Sequence, residues 1–196
     1  MPERTAILLL AAGTASRMGQ PKQLLPWRGT SLLRHAVLEA QRVPDSEVYL
    51  VAGAYFERMV QEVNGLDVSV VRNVDYAEGL GGSIAVGVRE AQRTRNPYRH
   101  IAVTLADQPA VTTEYLMQLI DCTSASGSIV ATRYGDRAGV PAVFPSTYIP
   151  QLALLSGDRG ASALLNAPES TVQLIDPPFH LFDIDTPEDY RRHAGN

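Results

Sequence analysis

Two basic residues, Arg17 and Lys22, lie in a loop that follows a short apolar stretch. Residues 6–10 have the composition of a buried β-strand. The small residues 11–13 come next and let backbone N–H groups approach a ligand closely. Arginine offers a planar fork and lysine a point charge, and both suit phosphate oxygens. The loop therefore predicts an anion site, with a surface turn of solvated charges as the alternative.

Two familiar phosphate motifs do not fit this loop. A P-loop needs four residues between its glycines and a lysine after the second, whereas five residues separate Gly13 from Gly19 and Gln20 follows. The dinucleotide pattern G-x-G-x-x-G is also missing from the loop. The anion site is therefore of another kind.

Asp107 is the second candidate, at the end of the strand-like residues 101–105. A carboxylate at the carboxyl end of a strand, near a phosphate loop, is placed to hold Mg²⁺. Because aspartate is also common in turns that contain proline, and Pro109 follows closely, a turn former is the alternative.

Residues 79–83 contain three glycines at the start of a predicted helix, which leaves N–H groups free for a ligand. Asn73 follows the predicted strand over residues 68–71. Later in the chain, Thr186 and Pro187 have the residue types of a helix start, and Asp183 and Asp185 precede them. Asp185 or Thr186 could serve only as the cap of that helix.

The composition is that of an ordinary globular protein. The chain has 196 residues, 45% hydrophobic and 19% charged, and we expect a single domain over residues 1–196. Its net charge of −4 disfavours nucleic acid or an anionic membrane as the main partner. The apolar N-terminal stretch is too short for a membrane span and lacks a basic leader, so we expect a cytoplasmic location.

Apolar runs and helical patterns alternate along the whole chain. The predicted helices are residues 32–40, 55–63, 83–92, 113–120 and 147–155. The predicted strands are residues 47–51, 101–105, 128–132, 140–144, 172–175 and 181–182. Residues 124–127 are predicted to form a loop. This alternation favours an α/β fold with a mostly parallel sheet, in which ligands bind at the carboxyl ends of strands.

The first loop resembles a known signature. Residues 10–22 match the pattern L-A-A-G-x-x-x-R-M-G-x-x-K at every fixed position. This pattern is typical of nucleotidyltransferases with a glycosyltransferase-A-like fold, and the chain most resembles the molybdenum cofactor cytidylyltransferases and their guanylyltransferase relatives. The resemblance implies a three-layer α/β/α, Rossmann-like domain with a mostly parallel mixed sheet.

The resemblance also implies roles for particular residues. Asp107 matches the metal-binding aspartate of the family, and Asp185 is favoured as the second Mg²⁺ ligand, with Asp183 as its neighbour or a water-mediated partner. Arg17, Lys22 and Asp107 are the expected catalytic residues. The expected nucleotide-binding residues are Leu10, Ala11, Ala12, Gly13, Arg17, Lys22, Asn73, Gly81, Gly82, Ser83 and Asp107. The expected acceptor-binding residues are Gln108, Pro141, Asp158 and Arg159.

The implied reaction transfers CMP from CTP to molybdopterin, the organic part of the molybdenum cofactor, and releases pyrophosphate. A molybdenum hydroxylase apoenzyme is an expected further partner. Transfer of GMP to the same acceptor and nucleotidyl transfer to a sugar 1-phosphate are alternatives. A further alternative is a non-catalytic cofactor chaperone for a molybdenum hydroxylase, although the retained Lys22 and Asp107 argue against it.

Overall fold

A computed structural model describes residues 4–13, 20–167 and 171–194 of the chain. Its strands are β1 (Thr5–Ala11), β2 (Pro26–Trp27), β3 (Thr30–Ser31), β4 (Ser46–Ala52), β5 (Ser69–Arg72), β6 (His100–Leu105), β7 (Ile129–Tyr134), β8 (Arg137–Pro145) and β9 (Val172–Ile175). Its α-helices are α1 (Leu32–Gln41), α2 (Phe56–Glu62), α3 (Leu80–Ala91), α4 (Thr113–Ser126), α5 (Ile149–Ala153), α6 (Ser162–Leu165) and α7 (Pro187–His193).

Within the described residues, seven strands form one sheet in the order β5-β4-β1-β6-β8-β7-β9. Strands β4, β1, β5 and β6 pair in parallel, whereas β8 runs antiparallel to both β6 and β7. The sheet is therefore mixed but mostly parallel, which confirms the predicted α/β fold. No helix in the described ranges is both long enough and apolar enough to cross a membrane.

Strand β1 explains why the N-terminal stretch is apolar without interruption. Ala6, Leu8 and Leu10 face one core, which α3 covers, and Ile7 and Leu9 face the core on the opposite side of the sheet. Helices on both faces leave a central parallel strand no exposed side, so its sequence does not alternate. The carboxyl end of β1 is held by this packing, and the first loop starts there.

Three local predictions differ from the structure. Helix α3 begins at Leu80, three residues before the predicted start, so Gly81 and Gly82 lie inside its first turn. Helix α4 continues to Ser126, where a loop was expected, and ends at Gly127 with φ of 66°. A left-handed glycine of this kind is a common helix terminator.

The predicted strand at residues 181–182 is also wrong, since the segment pairs with no other strand among the described residues. Side chains hold it instead: Phe182 packs against Trp27, with ring centroids 6.5 Å apart, and Ile184 is fully buried beside the same tryptophan. Apolar side chains can therefore anchor a segment that forms no hydrogen bonds with a neighbouring strand.

Candidate active site

A cleft of about 290 Å³ opens at the carboxyl ends of β1 and β6. It is lined by residues of the first loop, by both strand ends, by the start of α3 and by residues 183–185, the late acidic segment. The lining residues are Leu10, Ala11, Ala12, Gly13, Lys22, Gln23, Leu80, Leu105, Asp107 and Asp185. Six of the expected nucleotide-binding residues and both expected metal ligands thus meet in one place. This position follows the rule for open α/β sheets, in which ligands bind outside the carboxyl ends of strands.

Lys22 joins the two carboxylates of the cleft. Its ammonium nitrogen lies 2.5 Å from Oδ2 of Asp107 and 2.6 Å from Oδ1 of Asp185. Lys22 is the only lysine in the sequence, and its residue is 9% exposed. A long and flexible side chain held at this depth is fixed by its two ion pairs, which are stronger away from bulk water.

The ionisation of both groups is perturbed. Burial opposes the charge of Lys22, but Asp107 and Asp185 together outweigh burial and raise the pKa of the amine above its ordinary value. Burial raises the pKa of the Asp107 carboxyl, an effect that Lys22 opposes and that Asp183 and Asp185 reinforce. Two carboxylates around one ammonium, with Asp183 close enough to act on Asp107, give the site an excess of negative charge, which favours binding of a further cation.

Backbone contacts bring the late acidic segment to Asp107. The N–H of Ile184 donates to the carbonyl oxygen of Asp107 at 2.9 Å, so the residues on either side of Ile184 flank the end of β6. Helix α7 then begins with a capping box, in which Thr186 and Asp189 exchange hydrogen bonds. The Asp189 carboxylate also accepts a bond from the backbone N–H of Asp185 at 3.3 Å. The predicted helix cap and a carboxylate in the cleft therefore belong to the same turn, and Thr186 is the cap.

The residues present fit a hard divalent cation. Oδ1 of Asp107 is buried and finds no hydrogen-bond partner among the described residues, which leaves a carboxylate oxygen available for coordination. In the described ranges no three His, Cys, Asp or Glu side chains are grouped to hold a metal. A cation on Asp107 and Asp185 would need further oxygen ligands, and Mg²⁺ commonly takes these from substrate phosphates and water.

The glycine segment at the start of α3 packs against the turn at residues 156–158. A Cβ on Gly81 would lie 2.6 Å from the carbonyl oxygen of Ser156, and the Gly81 N–H donates to Gly157 O at 2.8 Å. A Cβ on Gly82, in contrast, would meet no described atom within 4 Å. Close backbone contact therefore explains why residue 81 is a glycine. At Gly82 the space that a side chain would fill is open.

Asn73 and Ser83 are brought together, but neither lines the cleft. The Asn73 amide donates to the Ser83 hydroxyl at 2.9 Å, and both side chains are buried. Oδ1 of Asn73 accepts from the N–H of Asp75 at 3.1 Å. In this arrangement the pair ties the end of β5 to the first turn of α3. Arg17, the remaining expected nucleotide contact, lies outside the described residues.

The expected acceptor residues fall into two groups. Gln108 is buried beside Asp107, and its amide nitrogen donates to Asp183 Oδ1 at 2.9 Å and to the Tyr134 hydroxyl at 3.0 Å. Pro141 is buried within β8. Asp158 and Arg159 are exposed on the turn that packs against α3. Of these four described residues, only Gln108 has a side-chain hydrogen bond to residues 183–185.

Sequence reasoning missed two residues of this region. Gln23 lines the cleft with a buried Oε1 that has no hydrogen-bond partner among the described residues. Its position directly after Lys22 was a usable signal. Tyr134 is 26 residues from Gln108 in sequence, and the β7–β8 hairpin and the pairing of β8 with β6 place it there, so no local pattern could have shown it.

A model of the MobA-like NTP transferase domain matches residues 7–172. The chain belongs to this family. Membership confirms the resemblance inferred from residues 10–22 and supports nucleotidyl transfer as the class of reaction. The matched range includes Lys22 and Asp107, whereas Asp185 lies beyond its end.

Curated relatives match the chain over most of its length. Nicotine blue oxidoreductase of Paenarthrobacter nicotinovorans is 33% identical over 86% of this chain and 85% of its own. Purine catabolism protein PucB of Bacillus subtilis is 31% identical, covering 93% and 92% of the two chains. The molybdenum cofactor cytidylyltransferase of Escherichia coli is 27% identical with the same coverage.

Solved structures show the same fold. Rv0371c of Mycobacterium tuberculosis superposes with a TM-score of 0.86 at 29% identity, and all of both chains is covered. A complex of Rv0371c with manganese has a TM-score of 0.81 at 29% identity, covering 98% of this chain and 99% of the other. A structural relative therefore binds a divalent metal, as is typical of nucleotidyltransferases in this family.

Proposed function

We propose that this protein is a Mg²⁺-dependent cytidylyltransferase that transfers CMP from CTP to molybdopterin with release of pyrophosphate. The observation that carries the proposal is the Lys22 ammonium held between Asp107 and Asp185 in the cleft at the end of β1. This arrangement combines a phosphate-binding cation with two oxygen ligands for a metal. The 27% identity to a molybdenum cofactor cytidylyltransferase over 93% of the chain supports the acceptor and the base.

The reaction makes modest demands on proton transfer. An oxygen of the acceptor's phosphate attacks the α-phosphorus of CTP, and the bond from that phosphorus to the β-phosphate oxygen breaks. Because the second pKa of a phosphate monoester is about 6, the acceptor is largely a dianion at neutral pH and needs no general base. The barrier is then repulsion between anions, so alignment and charge neutralisation supply the catalysis.

Each residue of the cleft has a role under this proposal. Lys22 turns from the carboxylates to the triphosphate, and the small side chains of residues 11–13 let the backbone approach it. Asp107 and Asp185 would hold the metal, which would supply Lewis-acid polarisation of the α-phosphate. Arg17 is proposed as a second cation for the phosphates, and the first turn of α3 at Gly82 as a contact of the nucleotide. A molybdenum hydroxylase apoenzyme is the proposed recipient of the product.

The test is a pyrophosphate-release assay with Mg²⁺, molybdopterin and each nucleoside triphosphate in turn, with the nucleotide–pterin product identified by mass spectrometry. Release with CTP and molybdopterin only, together with the dinucleotide product, supports the proposal. Preference for GTP would show that the protein transfers GMP and not CMP. Pyrophosphate release with a sugar 1-phosphate would show that the acceptor is a sugar phosphate and not molybdopterin.

Two further outcomes would contradict nucleotidyl transfer itself. Tight pterin binding without pyrophosphate release would point to a cofactor chaperone. Oxidation or reduction of nicotine blue would point to the activity named for the Paenarthrobacter relative. The matched control is Asp121→Asn, which changes an exposed carboxylate on α4 and should leave turnover unchanged.

A further inference from the structure

Tyr134 presents an aromatic ring to solvent next to the carboxylates of the candidate site. The residue is 41% exposed at the end of β7. Its hydroxyl donates to the carbonyl oxygen of Val140 at 2.6 Å and accepts from Nε2 of Gln108 at 3.0 Å. Burial of the hydroxyl, with Asp183 nearby, raises the pKa of Tyr134 above its ordinary value, so the group stays a donor at neutral pH. The exposed ring is therefore tethered at its tip.

The ring is also fixed along one side. A Cβ built on Gly139 would lie 2.6 Å from Cε2 and 2.7 Å from Cδ2 of the Tyr134 ring. The ring thus occupies the space above this glycine, against the backbone of β8. A surface tyrosine that is held by two hydrogen bonds and a backbone contact loses little entropy when a ligand covers it.

The position of Tyr134 suits the second substrate. In the sheet order β1-β6-β8-β7, the cleft lies on the β1 side of Asp107 and Tyr134 lies on the β7 side. Displacement at phosphorus places the attacking and leaving oxygens roughly in line. Under the proposed function the triphosphate lies at Lys22, on the β1 side of Asp107, and we take the acceptor to approach from the opposite, β8–β7 side.

We propose that Tyr134 is a stacking platform for a planar heteroaromatic ring in the acceptor, such as the aminopyrimidinone ring of a pterin. This inference rests on the proposed function, because it takes the acceptor to approach Asp107 from the β7 side. Asp183 receives a hydrogen bond from the same Gln108 nitrogen as Tyr134, so a carboxylate lies at the edge of the platform. Ring N–H and amino groups of an aminopyrimidinone are donors that suit such a carboxylate.

Binding of a fluorescent pterin tests the platform without turnover. The probe is 6-hydroxymethylpterin monophosphate, titrated with the full chain, Mn²⁺ and a CTP analogue whose α–β bridge is methylene. Tyr134→Leu removes the ring and should weaken pterin binding roughly tenfold, as expected for loss of one stacked ring. Tyr134→Phe keeps the ring and should stay within about threefold of the parent protein. Affinity for the CTP analogue should not change in either variant.

Tyr55→Leu is the matched control, since Tyr55 is 42% exposed and follows β4, on the other side of β1. It should leave the pterin affinity unchanged. Should Tyr134→Leu fail to fold, Tyr134→Trp takes its place, and binding of the pterin should then quench the new indole. Absence of quenching in the folded Trp variant overturns the platform.

The platform is also overturned if the parent protein and Tyr134→Leu bind the pterin equally, or if Phe is as harmful as Leu. The second result would assign the effect to the hydrogen bonds. Failure of the proposed function has a different signature. In that case the parent protein releases no pyrophosphate with CTP and molybdopterin, while the pterin titration still decides whether Tyr134 binds a planar ring.

Discussion

The ammonium nitrogen of Lys22 lies 2.5 Å from Oδ2 of Asp107, so the chain's single lysine is paired with the carboxylate proposed to bind the metal. The same nitrogen reaches Asp185 at 2.6 Å and thus occupies the space between both proposed ligands. Without nucleotide, Lys22 pairs with these carboxylates. When a nucleotide is bound, the same lysine would pair with its phosphates instead. Metal and nucleotide binding should therefore be coupled through Lys22.

Lys22→Met tests this coupling. Without nucleotide the variant should bind Mn²⁺ more tightly than the parent protein, because the competing ammonium is gone. Its affinity for CTP should fall by about 1.5–3 kcal/mol, the usual cost of losing a hydrogen bond to a charged group. Electron paramagnetic resonance measures free Mn²⁺, and calorimetry measures CTP binding. Arg72→Met, at an exposed ion pair with Glu57, should change neither value. Unchanged Mn²⁺ affinity in Lys22→Met would refute the exchange.

The two proposed metal ligands should differ in importance. Asp107→Asn removes the carboxylate whose Oδ1 is buried and should abolish both Mn²⁺ binding and metal-dependent turnover. Asp185→Asn should be milder, because the Asp185 side chain is 48% exposed, against 18% for Asp107, and water can take its place as an oxygen ligand. Titration with Mn²⁺ and with Mg²⁺ compares them, and circular dichroism confirms the fold. If Asp107→Asn binds metal as the parent protein does, the assignment is wrong.

The capping box of α7 gives a pH prediction. Hydrogen bonds from Thr186 hold the pKa of Asp189 below its ordinary value, 3.8. A carboxylate whose pKa is depressed on folding stabilises the fold above its unfolded pKa, and this contribution is lost as pH falls through the folded pKa. Asp189→Asn should therefore lower the melting temperature at pH 7, and the difference from the parent protein should vanish at pH values below the depressed pKa. A difference that is constant with pH would show that the charge of Asp189 is not involved.

Neighbouring glycines of α3 should respond in opposite ways to alanine. Gly81→Ala places a methyl 2.6 Å from Ser156 O and should destabilise the fold by about 1–3 kcal/mol, as overpacking does. Gly82→Ala meets open space and should stabilise the helix by about 0.5–1 kcal/mol, because alanine loses less entropy than glycine. Urea denaturation measures both. If Gly82→Ala still weakens CTP binding, the nucleotide lies against this turn; unchanged CTP affinity would contradict that proposed contact.

The methyl group of Ala12 should contribute to the choice of base. Ala12 is buried in the cleft lining, and in the proposed complex the base lies beside this strand end. Ala12→Gly should raise kcat/KM for GTP relative to CTP by about tenfold, near the low end of the roughly 10- to 200-fold (about 1–3 kcal/mol) that one methyl group is worth. Competition between the two nucleotides at equal concentration gives the ratio. A ratio that does not move would show that Ala12 is not involved in base selection.

The sequence determined much of this protein because the relevant signals are local. An uninterrupted apolar run predicted the central strand β1, and Thr186 with Pro187 predicted the start of α7. The fixed spacing in residues 10–22 was enough to indicate the family and the neighbourhood of Lys22. Each of these features depends on residue types within one short stretch of the sequence, where backbone preference and burial act directly.

Only the tertiary structure decided which distant residues meet. The pairing of Lys22 with Asp185 joins positions 163 apart, and it depends on the backbone bond from Ile184 to Asp107. The glycine segment suggested a nucleotide contact, yet Gly81 is explained by the turn at residues 156–158, which local sequence does not reveal. Tyr134 gave no signal, because its place beside Gln108 results from the β7–β8 hairpin and the antiparallel position of β8 in the sheet. Contacts of this kind are set by packing between layers, since the same local pattern is compatible with many partners.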